Sequence, residues 1–260
     1  MNCCYIFTTN ANKDNNELYK DLLFKSIETL LLFYDDNIVN IYILIDNKIS
    51  NDEYNHIINN INNINNNRIN IIYKLIDLNI TNCIKYPESN INAWKINRIG
   101  LLKFFIPYLV NCDNILYIDS DILFNGNVLN DLYLNFNNDT LIKMYQYGYN
   151  SGLILFNCNK WRAEQLLLSD IIKYYNETEY INTVDNQAFD WLVNKSKYNK
   201  FCIKDTNYKI NFPLTPPNDD WKNFTNNESY DWHNMNVLHL GGVEYKTYTS
   251  KIYNYIKNNC

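Results

Sequence analysis

The stretch "NILYIDSDILF", Asn114 to Phe124, sets Asp119 and Asp121 one residue apart inside an otherwise apolar run. Side chains alternate along a strand, so two such carboxylates converge above the end of a buried strand as long as it stays regular. Two buried anions without a partner are too costly to keep. Hard carboxylate oxygens suit Mg²⁺ or Mn²⁺, ions usually held by one or two carboxylates together with substrate phosphates. The pair therefore reads as a metal grip on a diphosphate. D-S-D is also good turn chemistry, and on spacing alone a solvated turn after the strand is the commoner outcome.

The elements that must position the pair alternate in type. "CCYIFTT" reads as a strand, Asn15 to Tyr34 as an amphipathic helix, Val39 to Asp46 as a strand apolar on both faces, Asn51 to Ile64 as a helix, and "INIIYKLI" as a strand. A helix is expected over Trp94 to Val110, with Pro107 in its last turn or kinking it, followed by the "NILYID" strand. Strands buried on both faces and separated by helices imply βαβ units and a parallel sheet, with ligands beyond the carboxyl ends of the strands. After Asp121 come short strands at "TLIKMYQ" and "SGLILFN", helices over Cys158 to Asn176 and Thr183 to Asn194, and late strands at "KFCIKD" and "NVLHL". The polar, aromatic and proline-rich segment Pro213 to Asn234 is expected to form a loop over the site. No linker divides the 260 residues, so one domain is expected, with a nucleotide-binding half over 1–125 and an acceptor-side half over 126–260.

Net charge is −5 and pI about 5.2, which gives no electrostatic case for nucleic acid or an anionic membrane surface. An anionic substrate would need a metal or a few placed cations. No basic, apolar leader opens the chain, and the longest nearly apolar run, Leu101 to Val110, is too short for a membrane span. Seven cysteines with no C-x-x-C pair read as reduced, mostly core thiols. A soluble, cytoplasmic protein is expected.

Leu101 to Tyr133 resembles the D-x-D block of the retaining glycosyltransferases of family 8. Four further stretches resemble that family's blocks in the same order: "IFTTN" with Tyr19 at the start, then "YNSGLILFNCNKWR", "VDNQAFDWL" and "VLHLGGVEYKTY". The resemblance implies a glycosyltransferase-A fold, a Rossmann-like α/β arrangement whose mixed central sheet is flanked by helices. It implies a UDP-sugar donor and a divalent metal on Asp119, Asp121 and His239. Imidazole favours Mn²⁺, with Mg²⁺ possible. By the same matching, Lys103 reaches donor phosphate or sugar hydroxyls, and Ser120, Asn150, Ser151 and Gly152 border the donor. Gly241 and Gly242 offer backbone N–H groups to the diphosphate. Phe7, Thr9 and Asn10 hold the nucleoside, and Tyr19 stacks on the base. Lys246 neutralises the leaving diphosphate, while Asp185 and Gln187 support the donor sugar or orient the acceptor.

The chain departs from that pattern at three places. The adjacent D-Q pair is here D-N-Q, so either Asn186 replaces the aspartate or Asp185 is displaced by one residue. Tyr245 stands where lysine is usual and Lys246 follows. The spacing from Asn10 to Tyr19 is longer than in glycogenin. The expected reaction is transfer of glucose or galactose, with retention, to a hydroxyl of a glycan, protein or lipid-linked sugar. No nucleophile is assigned, because a front-face substitution is the usual proposal for such enzymes. A non-catalytic nucleotide-sugar or glycan-binding module is the alternative. A nucleotidyltransferase would carry a Gly-rich basic signature that "FTTNANKDNN" lacks. An apolar helix near "YTSKIYNYIKN" is expected to be exposed and able to support a homodimer.

Overall fold

The computed structural model describes residues 1–8, 13–34, 38–65, 69–84, 100–145, 151–178, 184–205, 212–213, 234–240 and 246–259, without the side chains of 13–15, 129, 184, 212–213 and 246–248. The amino-terminal part is a run of parallel βα units. Strand β1 (Asn2–Phe7) leads to helix α1 (Lys13–Tyr34), β2 (Asn40–Asp46), α2 (Asn51–Asn65) and β3 (Asn70–Ile76). Ser50 caps α2, its hydroxyl accepting from the Glu53 N–H at 3.2 Å. Strand β4 (Asn114–Ile118) returns to the centre of the sheet beside β1.

Strands β6 (Ile142–Tyr145), β7 (Leu153–Asn157) and β8 (Cys202–Asp205) extend the sheet to the order β3-β2-β1-β4-β7-β6-β8. Only β7 runs antiparallel to its neighbours, so the sheet is mixed. A second sheet joins β5 (Ile122–Phe124), β10 (Val237–His239) and β9 (Phe212–Pro213) in the order β5-β10-β9.

Alternation along β1 divides the core. Cys3, Tyr5 and Phe7 face a cluster with Leu23, Ile27 and Leu30 of α1 and Ile57 and Ile61 of α2. Cys4 and Ile6 face the other side, where Leu101 to Val110 packs with α5 (Cys158–Ala163), α6 (Leu167–Glu177) and α7 (Val184–Asn194). Both faces of the sheet are thereby covered, as the doubly apolar strands require. The six described cysteines are free thiols: Cys3, Cys4 and Cys158 are buried, Cys112 and Cys202 partly so, and Cys83 is exposed.

Three expectations are corrected. The described part of the Trp94–Val110 helix is not continuous. A 3-10 turn at Lys103–Phe105 precedes a short α3 (Ile106–Leu109), with the Ile106 N–H bonded to the Lys103 carbonyl. Pro107 has no N–H to return to that carbonyl, so the regular ladder breaks there.

Cys158 to Asn176 is two helices, α5 and α6, not one. Trp161 and Leu167 are both fully buried, yet on one continuous helix they would lie about 120° apart. The break at Glu164 to Leu166 lets both face the core.

The helix near the carboxyl end, α8 (Lys246–Asn259), does not expose its apolar face. Ile252 and Ile256 are buried against Leu18 and Leu22 of α1 and Leu123 and Leu238 of the small sheet. That face is therefore not available to a dimer partner. The reading of "NILYIDSDILF" also lacked β5, and a short α4 (Leu129–Tyr133) follows it.

Packing under α7 matters for the site. Phe189 is fully buried and stacks on Phe104 with centroids 4.3 Å apart. Phe189→Ala is expected to lower stability by about 3 kcal/mol through the cavity it leaves, read from urea unfolding.

Candidate metal and donor site

The two aspartates lie where the chain crosses from the large sheet to the small one. β4 ends at Ile118, and Asp119 still holds one rung of the ladder, its N–H donating to the Gly152 carbonyl at 2.8 Å just before β7. The chain then turns, with the Ile122 N–H on the Asp119 carbonyl at 3.2 Å, and enters β5. Antiparallel register sets Ile122 opposite His239, and the Leu240 N–H bonds the Asp121 carbonyl at 2.9 Å. Two residues one apart in sequence are thus fixed by different sheets, and the second sheet delivers the histidine.

Asp119, Asp121 and His239 each offer one ligand atom within 4.8 Å of the others. Gly152 closes this cradle from below. A Cβ there would stand 2.3 Å from His239 Cε1 and 2.9 Å from Asp119 Oδ2, so only a hydrogen fits. Two hard oxygens and an imidazole suit a divalent ion of the Mn²⁺ kind, and the residues present fit one.

Electrostatics within the triad are uneven. Burial opposes the charged form of Asp121, but the imidazole of His239, 3.2 Å from its Oδ1, outweighs burial and holds the carboxyl below its usual range. Burial likewise works against protonation of His239, yet Asp121 raises it above 6.5. Asp119 is pushed up, by burial first and by the charge of Asp121 as well.

In linkage terms, the raised His239 contributes stability that is complete below 6.5 and is lost as pH rises through its higher folded value. The lowered Asp121 contributes stability that is present above 3.8 and is lost as pH falls through its lower folded value. A divalent ion must displace the imidazole proton, so its binding strengthens with pH. Thermal unfolding from about pH 5 to pH 9, with and without MnCl₂, checks the signs for His239 and for metal binding. The metal-free midpoint is expected to fall toward the alkaline end while the gain from Mn²⁺ grows.

Lys103 lies behind Asp119. Its ammonium is 2.7 Å from Asp185 Oδ2, 3.2 Å from Ser151 Oγ, 3.3 Å from the Ser151 carbonyl and 3.2 Å from Asp119 Oδ1. The Ser151 hydroxyl also donates to Asp185 Oδ2 at 2.7 Å. Burial disfavours the Asp185 carboxylate, but Lys103 and Ser151 more than offset this and hold it ionised below the usual range. Of the D-N-Q run, it is Asp185 whose carboxylate enters the cluster. Gly100 makes room for it, since a Cβ there would meet Asp185 Cβ and Cγ at 2.9 Å.

Tyr19 on α1 borders the aspartates. Burial raises its phenol, and Asp121 and Asp119 raise it further. Ser120 is half-buried in the turn, and Gln187 is half-buried on α7, about 200° around the helix from Asp185. Phe7, only 2% exposed, belongs to the core beneath the site. Next to it the buried Thr8 hydroxyl has no hydrogen-bond partner among the described residues. Thr9, Asn10, Asn150, Gly241, Gly242, the Lys246 side chain and the aromatic loop from Trp221 to Trp232 lie outside the described residues.

Two contributors escaped the sequence reading. Tyr117 donates its hydroxyl to Asp119 Oδ1 and sets its ring 5.0 Å from the Lys103 ammonium. Its signal was visible: a tyrosine two residues before Asp119 on a strand points the same way. Gly100 had no such signal, because its neighbour Asp185 is 85 positions away.

No family profile matches the chain. One curated protein, glycosyltransferase GlyE of Streptococcus pneumoniae, is 28% identical over 102 residues, covering 37% of this chain and 25% of that protein. Among solved structures, the galactosyltransferase LgtC, crystallised with donor and acceptor sugar analogues, superposes with a TM-score of 0.64 over 100% of this chain and 96% of LgtC, at 15% identity. Mouse xyloside xylosyltransferase 1 gives 0.60 at 11% identity over 93% and 98%. Apo GlyE gives 0.60 at 15% identity, over 99% of this chain and 62% of GlyE. The mixed sheet with flanking helices is therefore the glycosyltransferase-A fold. In fold the chain is similar to LgtC and GlyE. Among the described residues no helix is long and apolar enough to cross a membrane.

Proposed function

We propose that this chain is a retaining glycosyltransferase that moves a hexose, glucose or galactose, from a UDP-sugar to a hydroxyl of a glycan, protein or lipid-linked acceptor. The observation that carries the reading is the convergence of Asp119, Asp121 and His239 within 4.8 Å at the carboxyl edge of this fold. These three residues would hold Mn²⁺. The ion, when bound, supplies Lewis-acid neutralisation of a leaving diphosphate.

The remaining roles belong to the chain. Gly241, Gly242 and Lys246 follow β10 and would meet the diphosphate as its negative charge grows. By the resemblance, Thr9, Asn10 and Tyr19 would hold the nucleoside over the buried Phe7, Asn150, Ser151 and Gly152 would border the donor sugar, and Asp185 and Gln187 would lie beyond. The Asp185 carboxylate is held by two donors on one oxygen and is kept ionised. Such a stabilised carboxylate is a weak nucleophile. This supports attack by the acceptor hydroxyl on the same face that the diphosphate leaves, with no glycosyl-enzyme intermediate.

The test is hydrolysis of UDP-glucose and UDP-galactose without acceptor, followed by UDP release, with and without Mn²⁺. Slow metal-dependent hydrolysis supports an enzyme. Binding of UDP with no turnover of any UDP-sugar would instead favour the non-catalytic module.

A further inference from the structure

Two thiols meet at the edge of the large sheet opposite the aspartates. Cys112 lies just before β4, and Cys158 follows β7 and opens α5. Register pairs Asn114 with Asn157, and the Cys158 N–H on the Asp113 carbonyl at 2.7 Å carries the pairing one step further. Arg162 of α5 fastens the two segments together. It donates to the carbonyls of Pro107 at 2.6 Å, Val110 at 3.4 Å and Cys112 at 3.2 Å. Asn159 adds a bond to the Asp113 carboxylate at 2.8 Å. Both cysteines pack into the core cluster under Leu101 to Val110, and there the Cys158 thiol donates to the Cys112 sulfur.

The two sulfurs are not equivalent. Cys158 is fully buried, whereas Cys112 is partly exposed and, with Asn2, Asn40, Asp113 and Tyr133, lines a cavity of about 530 Å³. The hydrogen bond from Cys158 and the Arg162 guanidinium favour the Cys112 thiolate more than burial and Asp113 oppose it, so this thiol ionises below its usual 9.0. The same bond, together with burial, keeps the proton on Cys158. Cys4 of β1, Tyr42 of β2 and Tyr133 of α4 are the other titratable groups around the pair. A thiolate is the attacking form in disulfide exchange, and access decides which sulfur attacks first.

We propose that Cys112 and Cys158 form a redox-active dithiol, in which Cys112 attacks a small disulfide of the glutathione class and Cys158 resolves the product. In the first step the Cys112 thiolate bonds to one sulfur of the small disulfide, whose own S–S bond breaks and releases one thiolate. In the second, Cys158 gives up its proton and attacks the Cys112 sulfur, expelling the other small thiol. The protein pair is oxidised to one disulfide, the small disulfide is reduced to two thiols, and the two protein protons end on those thiols. The bridge ties the entry of β4 to the exit of β7. The site is separate from the aspartates, so it stands or falls independently of the donor chemistry.

The test incubates the full chain with oxidised glutathione, blocks the remaining thiols with N-ethylmaleimide and maps the peptides by mass spectrometry. Wild-type protein is expected to yield a Cys112–Cys158 bridge with no glutathione on either residue, and dithiothreitol should reverse it. Exposed Cys83 gains glutathione in the same sample and shows that the reagent is active. Cys158→Ser should stop at the first step, with one glutathione held on Cys112. The pH midpoint for alkylation of Cys112 by iodoacetamide should rise by about one pH unit in Cys158→Ala, which removes the donor. It should stay near wild type in Cys158→Ser, whose hydroxyl still donates.

A wild-type Cys112 that stays unmodified, that keeps its glutathione, or that bridges to Cys4 overturns the proposal. An alkylation midpoint unmoved in Cys158→Ala overturns it as well. Where the Cys158 variants do not fold, the map of the wild-type protein decides by itself.

Discussion

Asp121→Ala is expected to abolish metal-dependent turnover of a UDP-sugar, a fall on the order of 10³-fold or more. The substitution removes one of three converging ligand atoms and takes from His239 the carboxylate 3.2 Å from its ring. Without that carboxylate, burial weighs more heavily against the protonated imidazole, 6% exposed, and the ring loses one of the groups that orient it. Hydrolysis and transfer should fail together, because both need the leaving diphosphate neutralised. Mn²⁺ titration followed by electron paramagnetic resonance reads the ligand loss without reference to activity. Asp121→Asn keeps the shape and removes the charge, so it separates coordination from packing. Full activity in Asp121→Ala, with native circular dichroism, would remove the metal reading and the function built on it.

Gly152→Ala is expected to be nearly as damaging although it alters no charged group. The added methyl would stand 2.3 Å from His239 Cε1 and 2.7 Å from its Nδ1. No such contact survives in a packed interior, so the imidazole or the β7 entry must move. His239 has little room to move, since β10 is paired to β5 and the ring is buried. A shift of about 1 Å in a ligand costs roughly 10²-fold in rate. Mn²⁺ affinity should weaken with it, while thermal unfolding of the metal-free protein changes much less. Wild-type metal affinity in Gly152→Ala would mean that the cradle relaxes and that His239 is not held by Gly152.

Much of the site was legible because its signals are local. The D-S-D run is visible in the sequence, although spacing alone favours a solvated turn and only the ordered blocks of the resemblance make it a metal grip, and His239 is one of three histidines, beside Gly241 and Gly242. Even Tyr117 was reachable from the two-residue period of a strand. Lys103 was found, but its partners were not. The resemblance set it toward the donor, and the fold adds what the sequence did not show, contacts of its ammonium with Asp119, Ser151 and Asp185. Those contacts span 16, 48 and 82 positions, distances over which no periodicity carries information. The same holds for α8, whose apolar stripe was plain but whose cover, Leu18 and Leu22, lies at the other end of the chain.

Local patterning alone determined the βα alternation and the doubly buried strands and brought the acidic pair into view, because apolar period and turn chemistry act between near neighbours. Tertiary pairing decided the rest. The single reversed strand β7 carries Gly152 beneath Asp119, and the small sheet sets His239 opposite Ile122. Each of these depends on register between segments tens to more than a hundred residues apart. A strand shows which residues it buries, and only its partner fixes which of them meet.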